Sequence, residues 1–259
     1  MENSDRQSLH FETIAKRYFS ARHTANHLLY KRLLWRAVFK NFRIDDRPAI
    51  DVLEPMCGYA EGKSIIEGFY PGKIRYDGFD TSATMLEHAA RLRPDCTLFQ
   101  ADIKQFVPKK KYDVIILIGG LHHIYRHAAA VLATLRSALK DSGVFINFEP
   151  THACALTRYV RNRIYTSNSF FDRDTEQGFT LDELNHLYCS SGLQVTRQLY
   201  PGLLAYILYY NPDAFPLLNI GGSLLVKSLF GLDMLFYGTR MGRLLSFATL
   251  SILKPTQGN

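Results

Sequence analysis

Short apolar runs alternate with amphipathic segments between residues 49 and 150. The runs have no strict apolar–polar alternation, which is typical of strands that are buried on both faces of a sheet. The predicted strands lie at residues 49–53, 74–79, 97–100, 113–118 and 144–148. The predicted helices between them lie at residues 62–69, 82–93 and 128–140. This order predicts an α/β fold with a mostly parallel, doubly wound sheet.

The N-terminal region has a helical pattern. Its apolar side chains recur at spacings of three and four, with arginines and lysines between them. The run from Asp45 to Pro48 ends this pattern just before the first strand. We therefore expect one domain over residues 1–259, with a helical cap over residues 1–48 ahead of a core at residues 49–150.

The C-terminal region adds two strands and an insertion. A capping-box signature at residues 180–183 predicts the start of a further helix. Residues 193–199 and 245–253 have strand patterns, which brings the predicted sheet to seven strands. The apolar, helix-like residues 201–243 between them predict a lid. We expect residues 151–259 to supply the substrate side of the domain.

Composition limits the class of protein. With 47% hydrophobic and 21% charged residues, the chain has the usual mix of a soluble globular protein, which excludes a disordered or fibrous chain. The four cysteines occur singly, so neither a zinc site nor a disulfide framework is indicated, and no metal is predicted. The polar, acidic N-terminus does not match a signal peptide. These features predict a cytoplasmic protein.

The formal charge of +7 favours an anionic partner, which includes nucleic acid, phosphorylated substrates and an acidic membrane surface. The longest apolar region, residues 203–226, is interrupted by Asn211, Pro212, Asp213 and Pro216. A spanning helix needs about 20 continuous apolar residues, so no transmembrane segment is predicted. Peripheral contact with a membrane surface stays open.

Polar and glycine residues stand where four successive predicted strands end. The first strand leads into residues 54–62 (EPMCGYAEG), and the second ends at Asp80, 26 positions after Glu54. The third ends at Asp102 and the fourth at Gly119. Open α/β sheets bind ligands beyond the carboxyl ends of their strands, where a glycine turn admits a ligand and an acidic residue binds a ribose. Each residue alone fits an ordinary turn or cap, but the set predicts a nucleotide-type crevice.

These motifs resemble those of the class I S-adenosylmethionine-dependent methyltransferases, in their small-molecule branch. The four motifs of that family correspond to residues 54–62, 76–86, 100–102 and 112–123. Residues 179–184 and the closing strand are also typical of the branch. The resemblance is firm over residues 49–150. It departs from the family at Met56 and Ala60, where glycine is usual.

The resemblance implies a seven-stranded sheet with an antiparallel last strand, and S-adenosylmethionine as cofactor, which leaves as S-adenosylhomocysteine. Gly58 would lie near the methionine part of the cofactor, Asp80 would hold the ribose hydroxyls, and Asp102 would accept from the adenine amino group. The other implied cofactor residues are Tyr18, Arg22, Glu54, Met56, Thr81, Met85, Ile103, Gly119 and Gly120. For Tyr18 the alternative is a place in an apolar helical face.

Histidines are the candidates for proton transfer, because a hydroxyl acceptor benefits from a general base that titrates near neutral pH. In related O-methyltransferases one histidine of a Leu-His-His sequence is the base, so the resemblance points to His122 or His123. Glu149 and His152, at the end of the fifth strand, are further candidates, with helix capping as the alternative for His152. His123 and His127 are four apart, but no further zinc ligands accompany them.

The acceptor is less specified. The chain lacks the Asn/Asp-Pro-Pro-aromatic tetrapeptide with which family members methylate base amino groups, which disfavours nucleic acid as a partner. The apolar clusters at residues 203–210 and 224–236 either pack as core or cover a pocket for an apolar acceptor. With the basic residues at 158–163 they would also suit a membrane surface.

We expect transfer of a methyl group to a hydroxyl oxygen of a small or lipid-like molecule, as in secondary-metabolite, quinone or glycan and lipid biosynthesis. The alternatives are an RNA or protein methyltransferase and a methyltransferase-like binding subunit without activity.

Overall fold

A twisted sheet forms the centre of the molecule. The computed structural model describes residues 20, 22–40, 42–44, 47–167, 178–212 and 215–256. Its strands are β1 (Ala49–Pro55), β2 (Lys73–Asp80), β3 (Thr97–Gln100), β4 (Tyr112–Ile118), β5 (Leu139–His152), β6 (Phe179–Thr180), β7 (Leu193–Leu199) and β8 (Ala248–Pro255).

Seven of these strands lie in the order β3-β2-β1-β4-β5-β8-β7, and the two-residue β6 pairs with β5. The pairs among β1 to β5 are parallel, whereas β8 runs antiparallel to both β5 and β7. The predicted doubly wound sheet with an antiparallel last strand is therefore confirmed. The order reverses at β1, next to β4, which places a crevice at the carboxyl ends of these two strands.

Helices cover both faces of the sheet. The described α-helices are α1 (Ala25–Phe39), α2 (Glu61–Glu67), α3 (Ala83–Leu92), α4 (Ala128–Ala138), α5 (Ala155–Ser167), α6 (Leu181–Ser190), α7 (Leu204–Tyr209), α8 (Ser223–Met234) and α9 (Arg240–Leu245). Short 3-10 helices lie at Leu121–His127 and Pro216–Leu218. None of the helices in the described ranges has the length and apolarity that crossing a bilayer requires.

Alternate residues of the central strands face two different apolar cores. In β4, Val114 and Ile116 pack with α1, α7 and α8, whereas Ile115 and Leu117 pack with α4 and α6. All four side chains are fully buried. Burial on both faces explains why the sequence of this strand is continuously apolar.

The cap helix and the inserted region form one aromatic layer. Tyr30 of α1 lies 6.1 Å from Phe230 of α8 and 6.3 Å from Tyr210, between ring centroids. Phe148 of β5 meets Tyr210 at 5.3 Å and Trp35 at 5.9 Å, both edge to face. This side of the inserted region therefore packs as core, which is one of the two predicted arrangements.

The last strand begins later than predicted. It spans Ala248–Pro255 instead of residues 245–253, because α9 occupies Arg240–Leu245. Thr239 caps α9 by accepting from the Gly242 amide at 3.1 Å. The buried Ser246 hydroxyl then accepts from the Gly202 amide at 2.8 Å, which fixes the corner before β8.

Candidate functional site

The turns that follow β1, β2 and β3 are joined by backbone hydrogen bonds at one edge of the sheet. The Cys57 amide donates to the Phe79 carbonyl oxygen at 2.9 Å, which links the first turn to the end of β2. The Ala101 amide donates to the Asp80 carbonyl oxygen at 3.0 Å, which links the second turn to the third. The predicted ligand-binding residues are therefore brought together by the fold.

The turn after β1 has left-handed backbone at every second residue. Met56, Gly58 and Ala60 have φ values of 52°, 49° and 58°, and among the described residues Met56 and Ala60 are the only non-glycines with positive φ. For a residue other than glycine, the left-handed conformation is about 1–2 kcal/mol less favourable than the right-handed one. The two departures from the family's glycines therefore keep the backbone conformation that glycine would adopt.

A buried glutamate braces this turn. Glu54 accepts from the Gly62 amide at 2.9 Å and from the Tyr76 hydroxyl through the same Oε2 atom. A Cβ atom at Gly62 would lie 2.6 Å from that oxygen, so only glycine fits there. Burial raises the pKa of Glu54 to about 8, against the opposing effect of these hydrogen bonds. All of these contacts are internal, which gives Glu54 a supporting role in the turn.

Asp80 connects the first two turns. Its carboxylate accepts from the Gly58 amide at 2.9 Å and from the Ser82 amide at 3.0 Å. Burial raises the pKa of Asp80, and these amides and the nearby His123 act in the opposite direction. The side chain is only partly buried, so a ligand can reach it.

The residues predicted to border an adenine follow β3 or lie between the end of β2 and the first turn of α3. Asp102 is partly exposed and accepts from the Lys104 amide at 2.9 Å, which orients its carboxylate at the end of β3. Ile103 and Met85 are buried, and Thr81, just after β2, is partly exposed. The α3 start is capped by Ser82, which accepts from the Met85 amide at 3.2 Å.

A second buried glutamate organises the turn after β4. One oxygen of Glu149 accepts from the amides of Gly120 and Leu121 at 2.9 and 2.8 Å, and from the Asn147 side chain at 3.2 Å. The other oxygen lies 3.0 Å from Nδ1 of His122. Glu149 therefore joins the end of β5 to the histidine pair.

His122 is oriented by this contact. Because a carboxylate only accepts, the bond requires the proton on Nδ1 and leaves Nε2 as an acceptor in the neutral ring. The ring lies 4.0 Å from that of His123, between centroids. Gly119 has a φ of 61°, and a Cβ atom there would lie 3.7 Å from Cε1 of His122. The arrangement is that of an imidazole held in one tautomer by a buried carboxylate.

Comparison with known proteins agrees with this geometry. Residues 57–145 match the family model described as a methyltransferase domain. The trans-aconitate 2-methyltransferase of Enterobacter sp. (strain 638) is 34% identical over 94 residues, which is 36% of each chain. The corresponding enzyme of Escherichia fergusonii is 25% identical over 142 residues, which covers 50% of this chain and 56% of that protein. The chain thus matches about a third to a half of the length of these relatives.

Solved structures share the fold. The O-methyltransferase of a trans-AT PKS multienzyme from Brevibacillus brevis, in complex with S-adenosyl-L-homocysteine, has a TM-score of 0.56 and 16% identity, covering 86% of this chain and 72% of that one. A cyclopropane synthase of Mycobacterium tuberculosis has a TM-score of 0.59 and 15% identity, covering 88% and 82%.

The matched region and the fold are those of a methyltransferase domain of the class I, S-adenosylmethionine-dependent type. S-adenosylmethionine is the cofactor of this family, and the turns of this methyltransferase fit it. A Cβ atom at Gly58 would meet no heavy atom within 4 Å, so a ligand can approach the backbone there. The partly exposed Asp80 offers an acceptor for ribose hydroxyls beside it. The assignment of single residues to parts of the cofactor stays a prediction.

Three further predicted residues have other contacts or lie outside the described part. Arg22 of the methyltransferase donates to Asn211 at 3.0 Å and lies 5.6 Å above the Tyr210 ring, so it joins the cap to the inserted region. Tyr18 lies outside the described residues. The pKa of His152 is lowered by burial and by Arg161 and Arg158 of α5, and Glu183 of α6 acts in the opposite direction.

Two supporting residues were missed by sequence reasoning. Tyr76 and Asn147 each lie inside a strand and hold one of the two glutamates. Asn147 is fully buried, donates to the Leu117 carbonyl at 3.0 Å and accepts from the Tyr188 hydroxyl at 2.5 Å. A polar residue within the apolar run VFINFEP was the available signal, because a buried amide needs hydrogen-bond partners. Within the described ranges, no group of three or more acidic, histidine or cysteine side chains is arranged to hold a metal.

Proposed function

We propose that this methyltransferase acts on a hydroxyl oxygen of a small acceptor, with His122 as the general base and Glu149 as its positioning residue. The observation that carries this proposal is the 3.0 Å contact between Nδ1 of His122 and the buried carboxylate of Glu149. It leaves Nε2 of His122 as the acceptor for a proton. A hydroxyl group needs such a base because it is protonated at neutral pH.

When bound, S-adenosylmethionine supplies a methyl group on a positively charged sulfur. In the proposed step the hydroxyl proton would pass to Nε2 of His122 as the acceptor oxygen bonds to the methyl carbon, and the bond between that carbon and the sulfur would break to leave S-adenosylhomocysteine. Glu149 stabilises the resulting imidazolium by the charge-assisted hydrogen bond at Nδ1. A base of this kind contributes about 10²–10⁴-fold to the rate.

A carboxylate acceptor is the second candidate, since the two relatives described above are trans-aconitate 2-methyltransferases. The two candidates differ in chemistry. A carboxyl group with a pKa near about 4 is already ionised at neutral pH and needs no base for methylation. His122 is therefore essential for one candidate and dispensable for the other.

The test compares His122→Ala with wild type on matched acceptors that carry either a hydroxyl or a carboxylate, with mass spectrometry of the methylated product. The matched control is His186→Ala, because His186 lies exposed on α6. We expect turnover of hydroxyl acceptors that falls about 10²–10⁴-fold in His122→Ala and is unchanged in His186→Ala. Turnover of carboxylates alone, unaffected by His122→Ala, would replace the first candidate with the second.

Calorimetric titration with S-adenosylhomocysteine completes the test. Equal affinity in wild type and His122→Ala shows that the variant is folded and that the loss is in the chemical step. Cofactor binding by the wild type without turnover of either acceptor class would favour a binding subunit without activity.

A further inference from the structure

The segment between residues 215 and 247 exposes an unusual number of large apolar side chains. Leu224 is 80% and Leu235 70% exposed, whereas a helix that only covers a core turns such residues inward. The exposed members are Leu217, Leu218, Ile220, Leu224, Leu225, Leu232, Met234, Leu235, Phe236, Met241, Leu244 and Leu245. We call this set the apolar face.

Helix α8 is apolar on both of its sides. Val226, Phe230 and Asp233 are buried at spacings of four and three, and they face the α1 layer. Leu224 and Leu232, eight residues apart, project from the opposite side of the helix. A surface helix normally carries polar residues there, so the outer side of α8 is built to be covered.

The helices that carry the apolar face are joined by tight turns. A Cβ atom at Gly221 would lie 2.6 Å from Cδ2 of Leu225, so the turn after the 3-10 helix packs against the start of α8. A Cβ atom at Gly242 would lie 1.9 Å from the Phe236 carbonyl oxygen, so α9 packs closely against the end of the same segment. The 3-10 helix, α8 and α9 are therefore packed close together within this segment.

The charges on this surface have one sign. The segment carries Lys227, Arg240 and Arg243, all exposed, and its one described acidic residue is Asp233. Asp233 is buried and accepts from the amides of Leu204 and Ala205 at 3.2 and 2.7 Å, so it faces inward.

Arg243 has a partner on another helix. It pairs with Asp182 of α6 at 3.0 Å, which compensates part of its charge. Two cations of the segment, Lys227 and Arg240, keep their charge uncompensated by any described carboxylate.

We propose that the apolar face docks on an anionic lipid surface, with its leucines in the boundary between headgroups and acyl chains and its cations at the headgroups. Apolar side chains beside lysine and arginine are the composition that binds such an interface. A two-fold dimer through the same face is less favourable, because it would bring the cations of one copy against those of the other without carboxylates to pair them.

This docking does not depend on the proposed reaction. A vesicle-binding measurement needs neither acceptor nor turnover, so its failure and the failure of the proposed function are separate results. If both hold, the site would act on molecules that reside in or near the membrane.

The experiment is flotation of the full chain with vesicles of phosphatidylcholine alone and of phosphatidylcholine with phosphatidylglycerol. We expect binding to the mixed vesicles that weakens as salt is raised. The triple variant Leu224→Ser, Leu232→Ser, Leu235→Ser should lower the partition coefficient about a hundredfold, since each buried leucine contributes strongly. Lys227→Gln with Arg240→Gln should lower it about fivefold for each charge on mixed vesicles.

The matched control is Leu92→Ser with Val107→Ser. These two aliphatic side chains lie elsewhere in the chain and are 51% and 75% exposed. These changes should leave vesicle binding unchanged, and S-adenosylhomocysteine affinity should be equal in all variants. Absence of flotation with mixed vesicles, or equal flotation of wild type and the triple variant, overturns the proposal. A concentration-dependent dimer in sedimentation that the triple variant abolishes, without lipid binding, would assign the face to a second copy instead.

Discussion

The turns after β1 and β4 are both held by a glutamate that is buried at the end of a strand. Glu54 accepts from the Gly62 amide and the Tyr76 hydroxyl, and Glu149 accepts from the Gly120 amide and the imidazole of His122. The Tyr76 hydroxyl stays protonated near neutral pH, so the first arrangement only supports the turn. An imidazole can change its protonation state near neutral pH, so in the proposed reaction the contact in the second turn would take part in proton transfer.

The largest expected effect separates the two glutamates directly. Glu149→Gln keeps an oxygen for the amides but cannot hold His122 as a carboxylate does, so we expect turnover of a hydroxyl acceptor to fall about 10²–10⁴-fold. Steady-state kinetics across pH measure this. The acidic limb of the profile should move to lower pH, because a neutral amide stabilises the protonated imidazole less well.

Glu54→Gln is the matched control for that experiment. It should leave the shape of the pH–rate profile unchanged, since Glu54 contacts no group that titrates in the reaction. Equal rate losses in the two variants would show that both glutamates are braces.

A substitution at Asp80 tests whether the turns after β1 and β2 bind the cofactor. Asp80→Ala removes an ionised acceptor and releases the amides of Gly58 and Ser82, and a hydrogen bond to a charged group contributes about 1.5–3 kcal/mol. We expect the affinity for S-adenosylhomocysteine, measured by calorimetry, to fall about 10–100-fold. A dissociation constant equal to that of the wild type would remove Asp80 from the cofactor site.

The pH dependence of stability tests the supporting role of Glu54 separately from the reaction. The pKa of Glu54 is raised to about 8, so its contribution is present below pH 4.5 and is lost as the pH rises towards 8. Burial lowers the pKa of His27 to about 3, so its contribution is present above pH 6.5 and is lost as the pH falls. Between pH 4.5 and 6.5 the two oppose each other.

Urea unfolding at pH 5 and 6.5 measures this balance. Each group acting alone changes the free energy of unfolding by about 1.4 kcal/mol per pH unit, or about 2 kcal/mol over this interval. Glu54→Gln should therefore make the slope of stability against pH more positive than in the wild type, and His27→Gln should make it more negative. Parallel slopes in the two single variants would contradict these assignments.

The smallest expected effect concerns the left-handed turn. Ala60→Gly removes a left-handed strain of about 1 kcal/mol but also a buried methyl group worth about 0.8 kcal/mol, so stability should change little. Gly58→Ala adds the same strain at a position with free space, so it should cost about 1 kcal/mol in urea unfolding. A loss of several kcal/mol on Ala60→Gly would show that the methyl group, and not the backbone, decides that position.

The parts that sequence reasoning predicted are those with a strong local signal. The apolar runs around Val114 and the capping box at Thr180 fixed strands and a helix start, and Asp80, Asp102 and Gly119 stand where parallel strands must end together. The left-handed φ of Met56 and Ala60 carries no such signal, because neither residue favours it.

Other features depend on contacts distant in the chain. The support that Tyr188 gives to Asn147 joins α6 to β5, and no local pattern records it. Likewise the residues around Leu224 and Phe230 are equally apolar, so the sequence could not show which side of α8 the core covers. Tertiary packing decides both.

The central claim is that Glu149 holds His122 with its proton on Nδ1, so that Nε2 is the acceptor nitrogen of the neutral ring. Nitrogen-15 NMR of histidine-labelled protein measures this without any acceptor molecule. The account predicts that the neutral ring of His122 is protonated at Nδ1 in the wild type and loses that preference in Glu149→Gln. A wild-type His122 protonated at Nε2 would contradict the account, because no base would then face the acceptor.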